Sequence, residues 1–367
     1  MSLDMYRLSL EERDRRYKNI RELMGEEGVD GLIMIADAHD DRCGFVRYVS
    51  LFGVKNRYGF IVFPMKGEPA FVGARAPMVR HLGWITNVRE GHGQGVLSTD
   101  YAKELGDTAE EFNLGKGTIG IAGWEWFPAP VYDTLVKRFP KATFKPATEL
   151  MEKARMVKSL EELTLVQRSM AVADRSFAAI VKTLKPGVTE FELMAEIFRT
   201  IKSEGNEDCI PLTPGLMPTN RTYKRGDRIG TGLELNVTGG YWVHQPGRIV
   251  CLGEPPKEFR DVYESAVNVQ KQAAEQLRPG KTPGDVCKAC VEAGGTPVGH
   301  GMGLDVSEEP WITPEDKTMF KPGMVIAMHH KVGNKNYSAS LCDLYLITET
   351  APRNLSKIPP DLIIKEW

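Results

Sequence analysis

The 367-residue sequence lacks a charge imbalance, a long apolar segment and a large number of cysteines. Its 47 basic and 49 acidic residues leave a formal net charge of −2, so we expect no strongly basic surface for nucleic acid or an anionic membrane. No run approaches the roughly 18 apolar residues of a membrane span, and the N-terminus lacks the apolar core of a secretory signal. These absences predict a cytoplasmic protein with no nucleic-acid or membrane partner.

The six cysteines are too few for a disulfide framework in a chain of this length. Cys287 and Cys290 form a Cys-x-x-Cys pair within a helical pattern. Zinc sites of this type need a second Cys or His pair at a fixed spacing, and none follows nearby. We therefore expect reduced, buried thiols at these two positions rather than redox or metal chemistry.

The first part of the chain has the pattern of an α/β unit. Apolar residues at helical spacing among charges predict an amphipathic helix over residues 10–28 that ends at a glycine. Short apolar runs and turn residues then predict a strand at 30–36, a hairpin of 58–63 and 70–72, a strand at 120–122 and a helix at 130–139. The length favours two domains, which we place at 1–152 and 153–367.

A glycine-rich motif stands out in the second part. Residues 299–310 read Gly-His-Gly-Met-Gly-Leu-Asp-Val-Ser-Glu-Glu-Pro. This segment resembles the Gly-His-Gly-x-Gly-Leu-x-x-His-Glu-x-Pro signature of the creatinase, prolidase and methionine aminopeptidase superfamily, the pita-bread hydrolases. Four more segments resemble the superfamily in the same order, at 158–174, 184–190, 277–286 and 320–326. Five ordered matches favour the fold, although a shared fold does not establish a shared chemistry.

The resemblance implies an α/β (α+β) protein with two domains. A pita-bread domain with a curved antiparallel sheet and flanking helices is expected to follow a creatinase-type α/β N-terminal domain. It also implies a homodimer in which the N-terminal domain covers the partner's active site. Five residues of this domain could reach the partner's active site, but they could equally be ordinary exposed loop residues. They are Arg57, Tyr58, Arg75, His81 and His92.

The residues that would hold two metal ions are largely replaced. Metal-dependent members use two aspartates, one histidine and two glutamates, because divalent ions favour oxygen-rich sites with bridging carboxylates. By resemblance, His300 keeps the position of the histidine ligand, while His329 and Cys342 stand where the two glutamates are expected. Ser307 takes the place of the second histidine of the glycine-rich motif. The usual dinuclear centre is therefore not expected.

The two aspartate positions depend on how residues 234–248 are aligned. In the superfamily the second aspartate follows the first by eleven residues. An alignment anchored on Arg248 places Glu234 and Gln245 at these positions, whereas one anchored on Gly240 and Tyr241 places Leu233 and His244 there. Neither alignment restores two aspartates.

Our main hypothesis is a creatinase-like hydrolase that cleaves a C–N bond in a small amide, amidine or amino-acid derivative without a metal or another cofactor. Histidine suits proton transfer because its ordinary pKa of about 6.5 lies near neutrality. We assign catalysis to His300, His329 and Glu234. The candidate substrate-binding residues are Tyr241, His244, Ser307, Glu308, His330, Cys342 and Arg248.

Three alternatives remain open from the sequence. In the first, an Xaa-Pro peptidase-like enzyme holds one metal ion through His300, His329 and one of His244, Glu234 or Cys342. In the second, the chain is a non-catalytic binding module on the same fold. In the third, the same base catalyses a lyase reaction on a small substrate.

Overall fold

The computed structural model describes residues 7–37, 42–54, 58–73, 83–91, 99–213, 215 and 217–366. Within it the chain divides into two compact units, Met1–Arg155 and Met156–Trp367.

Unit 1 is a mixed α/β unit. Its described helices are α1 (Leu10–Glu26), α2 (Gly44–Ser50), α3 (Thr99–Glu111), α4 (Ala129–Arg138) and α5 (Thr148–Met156). Its described strands are β1 (Gly31–Asp37), β2 (Tyr58–Pro64), β3 (Ala70–Gly73), β4 (Asn87–Glu90), β5 (Thr118–Ala122) and β6 (Thr143–Pro146). The division between the units falls at the end of α5, and the predicted boundary after residue 152 lies inside the same helix.

The strands of unit 1 form one sheet in the order β4-β3-β2-β1-β5-β6. Strand β1 pairs antiparallel with β2 and parallel with β5, so the predicted hairpin and buried strand meet in its centre. Helix α1 begins after Ser9, whose side chain accepts the backbone N–H of Glu12 at 3.0 Å. It ends before Gly28, which adopts the left-handed conformation (φ 64°) that favours glycine.

Unit 2 contains two helix pairs with the same local design. Its described helices are α6 (Leu160–Thr183), α7 (Glu190–Lys202), α8 (Lys257–Ala274) and α9 (Pro283–Glu292). The second helix of each pair follows a Pro-Gly turn and begins with a capping box, Thr189 with Glu192 and Thr282 with Asp285. The structure therefore has the repeated helix, Pro-Gly, helix arrangement predicted from the sequence.

Three sheets accompany these helices in unit 2. The first contains β7 (Asn206–Pro211), β9 (Leu233–Val237) and β10 (Trp242–His244), and the second contains β8 (Arg228–Gly230), β11 (Ile249–Leu252) and β17 (Ile363–Lys365). The third contains β12 (Gly299–Gly301), β13 (Glu308–Trp311), β14 (Val325–Gly333), β15 (Ser338–Leu346) and β16 (Arg353–Asn354). Apart from the β11–β17 pair, the strand pairs of these sheets are antiparallel.

One face of β14 packs in the core of unit 2, so only residues on its other face can contribute to a site. Ile326 and Met328 of β14 pack in one cluster with Val269 and Ala273 of α8. Because successive side chains of a strand point to opposite faces, His329 points away from these helices. Among the described residues, no helix is long and apolar enough to cross a membrane.

Candidate active site

The candidate site begins on the β14–β15 hairpin, on the face away from the helices. His329 lies directly opposite Cys342 in this antiparallel pair, so the two side chains share one face. Strand β12 pairs with the other edge of β14, with His300 opposite Ala327. Three residues that are far apart in sequence are thereby brought to one place by strand pairing.

The β9–β10 hairpin supplies two more side chains. Glu234 lies directly opposite His244, so the structure takes one residue from each of the two sequence alignments. Gly239 and Gly240, with φ of 111° and 80°, lie between the strands and give a spacing of ten residues instead of eleven. Strand pairing thus places Glu234 and His244 opposite each other, a combination that neither alignment contained.

Gln245 is not part of the cluster. Its side chain is fully buried and points to α6, where the amide Nε2 donates to Ser176 Oγ at 2.5 Å. A change of one residue in the strand register exchanges the faces of all its side chains. For this reason His244, and not Gln245, lies on the face that carries Glu234.

The hydrogen bonds of His300 determine its tautomer and that of His329. The Nδ1 atom of His300 lies 2.9 Å from the carbonyl oxygen of Gly301, which only accepts, so Nδ1 carries the proton. The Nε2 atom of the neutral ring is then an acceptor, and it lies 3.2 Å from Nε2 of His329. His329 therefore donates from Nε2 and presents the lone pair of Nδ1, which lies 3.0 Å from Cys342 Sγ.

His244 is oriented in the same way. Its Nδ1–H donates to the backbone carbonyl of Gln245, which leaves the Nε2 lone pair free. The ring is buried and meets that of His329 edge to face, with 4.6 Å between the ring centroids. Backbone carbonyls thus hold the imidazoles of His244 and His300 in the Nδ1–H tautomer, which has the Nε2 lone pair that a metal ligand requires.

In the part of the chain that the structure describes, two sets of side chains lie close enough together to hold a metal ion. In the first set, the donor atoms of His244, His329 and Cys342 lie within 4.8 Å of one another, and in the second those of Glu234, His300 and His329 do. Two imidazoles and a thiol are ligands that zinc and similar transition ions favour. The tautomers favour the first set, because His300 Nε2 already accepts a hydrogen bond from His329.

Burial keeps these groups uncharged. It lowers the pKa of His244 to about 4, and burial together with the neighbouring His244 holds the pKa of His329 well below its usual range. Burial also raises the pKa of Cys342 well above that of an exposed thiol and raises the pKa of Glu234 to about 7. The cluster therefore presents neutral imidazoles, a protonated thiol and a carboxyl group that titrates near neutrality.

A cavity of about 650 Å³ opens onto the first set. His244, His329 and Cys342 form part of its wall. The remaining lining residues come from β8, β11, α8, the β14–β15 hairpin and the loops beside them; they are Leu212, Thr213, Arg228, Gly230, Thr231, Gly232, Gly247, Ile249, Phe259, Asn336, Tyr337, Ser338, Ser340 and Leu341. This volume falls within the range of about 300–1,000 Å³ that is typical of small-molecule sites.

Comparison with known families agrees with this architecture. Residues 164–349 match the model of metallopeptidase family M24, and residues 16–157 match the creatinase/prolidase N-terminal domain. The chain belongs to metallopeptidase family M24. This confirms the superfamily and the fold class predicted from the five sequence motifs.

Individual relatives of this M24 chain have different names. An Xaa-Pro dipeptidase of Pyrococcus furiosus is 25% identical over 67% of this chain and 75% of its own. An ectoine hydrolase of Halomonas elongata is 24% identical over 67% of this chain and 70% of its own. The solved structure of an Xaa-Pro dipeptidase from Bacillus anthracis has a TM-score of 0.81 and 19% identity, covering 96% of this chain and 100% of that one.

Two predicted substrate-binding residues of the M24 domain lie elsewhere. Tyr241 is buried against α6, where its hydroxyl donates to Glu162 at 2.7 Å. Arg248 is fully buried and donates to the Asp343 carboxylate and to backbone carbonyls of 247, 342, 358 and 359. The predicted binding role does not fit either position, because the polar groups of both are occupied inside the protein.

Glu308 and Ser307 also differ from their predicted roles. Glu308 is buried in an ion pair with Lys158 at 2.8 Å and accepts the backbone N–H of Leu304 and Asp305. It therefore stabilises the loop that follows His300. Ser307 is half-buried in the bend before β13 and is not among the residues that line the cavity.

His330 lies on the opposite face of β14 from His329. It is buried, and its Nε2–H donates to the carbonyl of Ala266 in α8 at 2.7 Å. The structure thus brings one residue of the His-His pair to the site, as alternation in a strand requires. Of the N-terminal candidates, Tyr58 begins β2, whereas Arg57, Arg75, His81 and His92 lie outside the described residues.

Three further residues that line the cavity were not expected from the sequence. Arg228, Phe259 and Tyr337 come from β8, α8 and the turn between β14 and β15. No sequence motif joins them, and they meet only because these elements pack together. The spacing of the aromatic residues gives no signal that would have identified this group.

Proposed function

We propose that this M24 chain hydrolyses a C–N bond in a small substrate with one transition-metal ion, of the zinc type, held by His244, His329 and Cys342. The observation that carries the proposal is the proximity of these three donors at one wall of a cavity. The relatives by sequence include a dipeptidase and a hydrolase of a small compound, and both names support C–N hydrolysis. The metal-free, creatinase-like hypothesis gains no support from these names.

The donor set fits such an ion better than the hard ions of carboxylate sites. A thiol and two imidazoles provide soft and borderline ligands, whereas Glu234 is the one carboxylate in the candidate metal-ligand sets found among the described residues. A cation at this place would favour the deprotonated form of Cys342 and offset the effect of burial on its pKa. Binding of the ion is therefore coupled to loss of one proton from the thiol.

A bound ion of this type supplies a Lewis acid that polarises a carbonyl and acidifies water. The chain supplies the proton transfer through Glu234, because burial places the pKa of its carboxyl at about 7 and it can both accept and return a proton near neutrality. His300 holds the tautomer of His329 through the 3.2 Å contact between their Nε2 atoms. His300 is thus a positioning residue rather than the proton carrier of the main sequence hypothesis.

The substrate is a compact amide, such as an Xaa-Pro dipeptide or a small cyclic amide derivative. A cavity of about 650 Å³ accommodates a molecule of this size and not a long peptide. We extend the proposal to a cytoplasmic homodimer on the resemblance of the N-terminal domain to creatinase and prolidase.

The test is elemental analysis of protein purified without added metal, followed by assays with Xaa-Pro dipeptides and small amides. We expect about one zinc-type ion per chain, loss of turnover with chelator, and at least about tenfold weaker metal binding in Cys342→Ser. Cys290→Ser is the matched control, because Cys290 is a buried thiol in α9 remote from the site. Metal-free protein with full activity would restore the creatinase-like hypothesis, and metal-loaded protein without turnover would favour a binding module.

A further inference from the structure

A buried ion pair lies beside the strand that carries His300. Lys158 and Glu308 are both almost fully buried, and the Lys158 ammonium lies 2.8 Å from Oε2 of the Glu308 carboxylate. Burial removes both charges from water, and an apolar pair of similar volume is often as stable as a buried ion pair. Stability alone therefore does not account for these two charges.

The second oxygen of Glu308 orders the loop that follows β12. Its Oε1 atom accepts the backbone N–H of Leu304 at 2.8 Å and that of Asp305 at 3.2 Å. The carboxylate also occupies the space beside Gly303, where a Cβ atom would lie 2.5 Å from Oε2. The place of this loop, residues 302–305, therefore depends on where the carboxylate of Glu308 is held.

The same loop is hydrogen-bonded to the strand that carries His244. The carbonyl of Gly303 accepts the backbone N–H of Trp242, the first residue of β10, at 2.7 Å. His244 is the last residue of this three-residue strand, and its ring belongs to the donor set with His329 and Cys342. The Glu308 carboxylate is thus linked to the strand of a proposed metal ligand through a single loop.

At its other end the loop joins the strand of His300. Gly301 is the last residue of β12, and its carbonyl accepts the Nδ1–H of His300 at 2.9 Å. The next residue, Met302, donates its backbone N–H to the carbonyl of Val325 in β14 at 3.0 Å. A shift of the loop would therefore move the carbonyl that orients the imidazole of His300.

We propose that Lys158 and Glu308 are positioning residues of the metal-ligand set. Their ion pair fixes the loop of residues 302–305, and this loop sets the place of His244 and the orientation of His300. The inference rests on the proposed function for the metal ion, whereas the effect on the loop requires only the hydrogen bonds described above. Partners that orient metal ligands typically change metal affinity by about 10–100-fold when they are replaced.

The test breaks the ion pair without removing a donor atom of the set. Lys158→Met keeps the approximate length and volume of the side chain but leaves the Glu308 carboxylate without its ammonium partner. Zinc affinity is measured by competition with a chromophoric chelator, and hydrogen exchange of the Trp242, Leu304 and Asp305 amides is measured in metal-free protein. We expect Lys158→Met to bind zinc at least about tenfold more weakly and to exchange these amides at least about tenfold faster.

Gly303→Ala tests the same link with both charges kept. The added Cβ would displace the carboxylate of Glu308, so this variant should weaken zinc binding and speed exchange of the Trp242 amide in the same way. It also carries the test if Lys158→Met does not fold. Circular dichroism shows which variants are folded.

Thr282→Ala is the matched control in unit 2. It removes the N-cap side chain of α9, which lowers stability without touching the loop of residues 302–305. We expect its zinc affinity to stay within about twofold of wild type. A loss of zinc affinity as large as that in Lys158→Met would overturn the inference, because the effect would then be one of general stability.

The two readouts separate this inference from the proposed function. If wild type binds zinc and hydrolyses substrate while Lys158→Met and Gly303→Ala keep its affinity and its exchange rates, only the positioning role fails. If wild type binds no zinc but the Trp242 amide exchanges faster in both variants, the ion pair does position β10 and only the proposed function fails.

Discussion

Two adjacent residues of β15, Cys342 and Asp343, point to opposite faces of the strand and belong to two different buried polar regions of unit 2. Asp343 pairs with Arg248 at 2.8 Å and accepts from Gln270, so its charge is balanced within the protein. Cys342 faces the other side, where its thiol lies against the imidazole of His329, and burial outweighs the effect of Arg248 and raises the pKa of the thiol. The polar groups around Asp343 are paired with one another inside the protein. Around Cys342, in contrast, the donor atoms of His244, His329 and Cys342 could bind an external cation.

Buried polar side chains alone therefore do not identify a binding site. Both regions contain charged or ionisable side chains with little exposure, and both lie on the same strand. They differ in whether the partners are already present. A region whose buried polar groups are all hydrogen-bonded within the protein is a structural network, whereas one with lone pairs left for a ligand is a candidate binding site.

Loss of the buried Arg248–Asp343 ion pair should have the greatest effect on stability. Arg248→Met leaves the Asp343 carboxylate buried without its partner, which should lower the free energy of unfolding by about 3–5 kcal/mol. Chemical denaturation measures this loss. The control is Arg260→Met, whose exposed pair with Glu254 should contribute about 1 kcal/mol or less. A similar small loss in both variants would mean that the Asp343 side is not the stabilising network described here.

A second prediction concerns the pH dependence of stability that Glu234 causes. The pKa of Glu234 is about 7 in the folded protein, against an ordinary value of 4.5. Between these values the folded chain holds a proton that the unfolded chain has released, so the contribution of Glu234 to stability falls as the pH rises from about 4.5 to about 7, by at most about 3.4 kcal/mol.

Glu234→Gln should remove this part of the pH dependence in metal-free protein. Denaturation curves at pH 5 and pH 7.5 measure it, with Glu254→Gln as a control at an exposed carboxylate. If Glu234→Gln shows the same loss of stability across this range as wild type, the carboxyl does not titrate near neutrality.

A smaller effect tests how Cys342 is positioned. Gly247 and Cys342 exchange backbone hydrogen bonds, and a Cβ atom at Gly247 would lie 2.7 Å from the backbone nitrogen of Cys342. Gly247→Ala should therefore lower stability by about 1–3 kcal/mol and weaken metal binding. Gly230→Ala is the control, because a Cβ there meets no atom within 4 Å and should leave stability unchanged or slightly higher. Equal effects of the two substitutions would contradict the close contact.

The smallest effect compares two buried thiols without metal. Cys342→Ser should change stability by about 1 kcal/mol or less, because the hydroxyl can keep the hydrogen bond to Nδ1 of His329. Cys290→Ser should cost more, about 1–3 kcal/mol, since Cys290 packs in an apolar cluster with Val269 and Ile312. Thermal and urea denaturation rank the two variants. The reverse order would show that Cys342 is packed like a core residue.

The sequence predicted the elements of the fold better than the members of the site. Helix starts such as Thr189 and Thr282 are local, because the capping residue and its partner lie within four positions. The identity of His300, His329 and Glu234 as neighbours followed from the family pattern. The roles of Tyr241, Arg248 and Glu308 did not follow, since they depend on partners such as Lys158 that lie far away in sequence.

The turn at Gly239 and Gly240 has a consequence for the composition of this site. With His244 ten positions after Glu234, the imidazole lies on the face that carries Glu234, and Gln245 lies against α6. Insertion of one residue in that turn would rotate the end of β10 and exchange the two side chains. The length of this turn therefore determines whether an imidazole or an amide faces Glu234, although neither His244 nor Gln245 would itself be substituted.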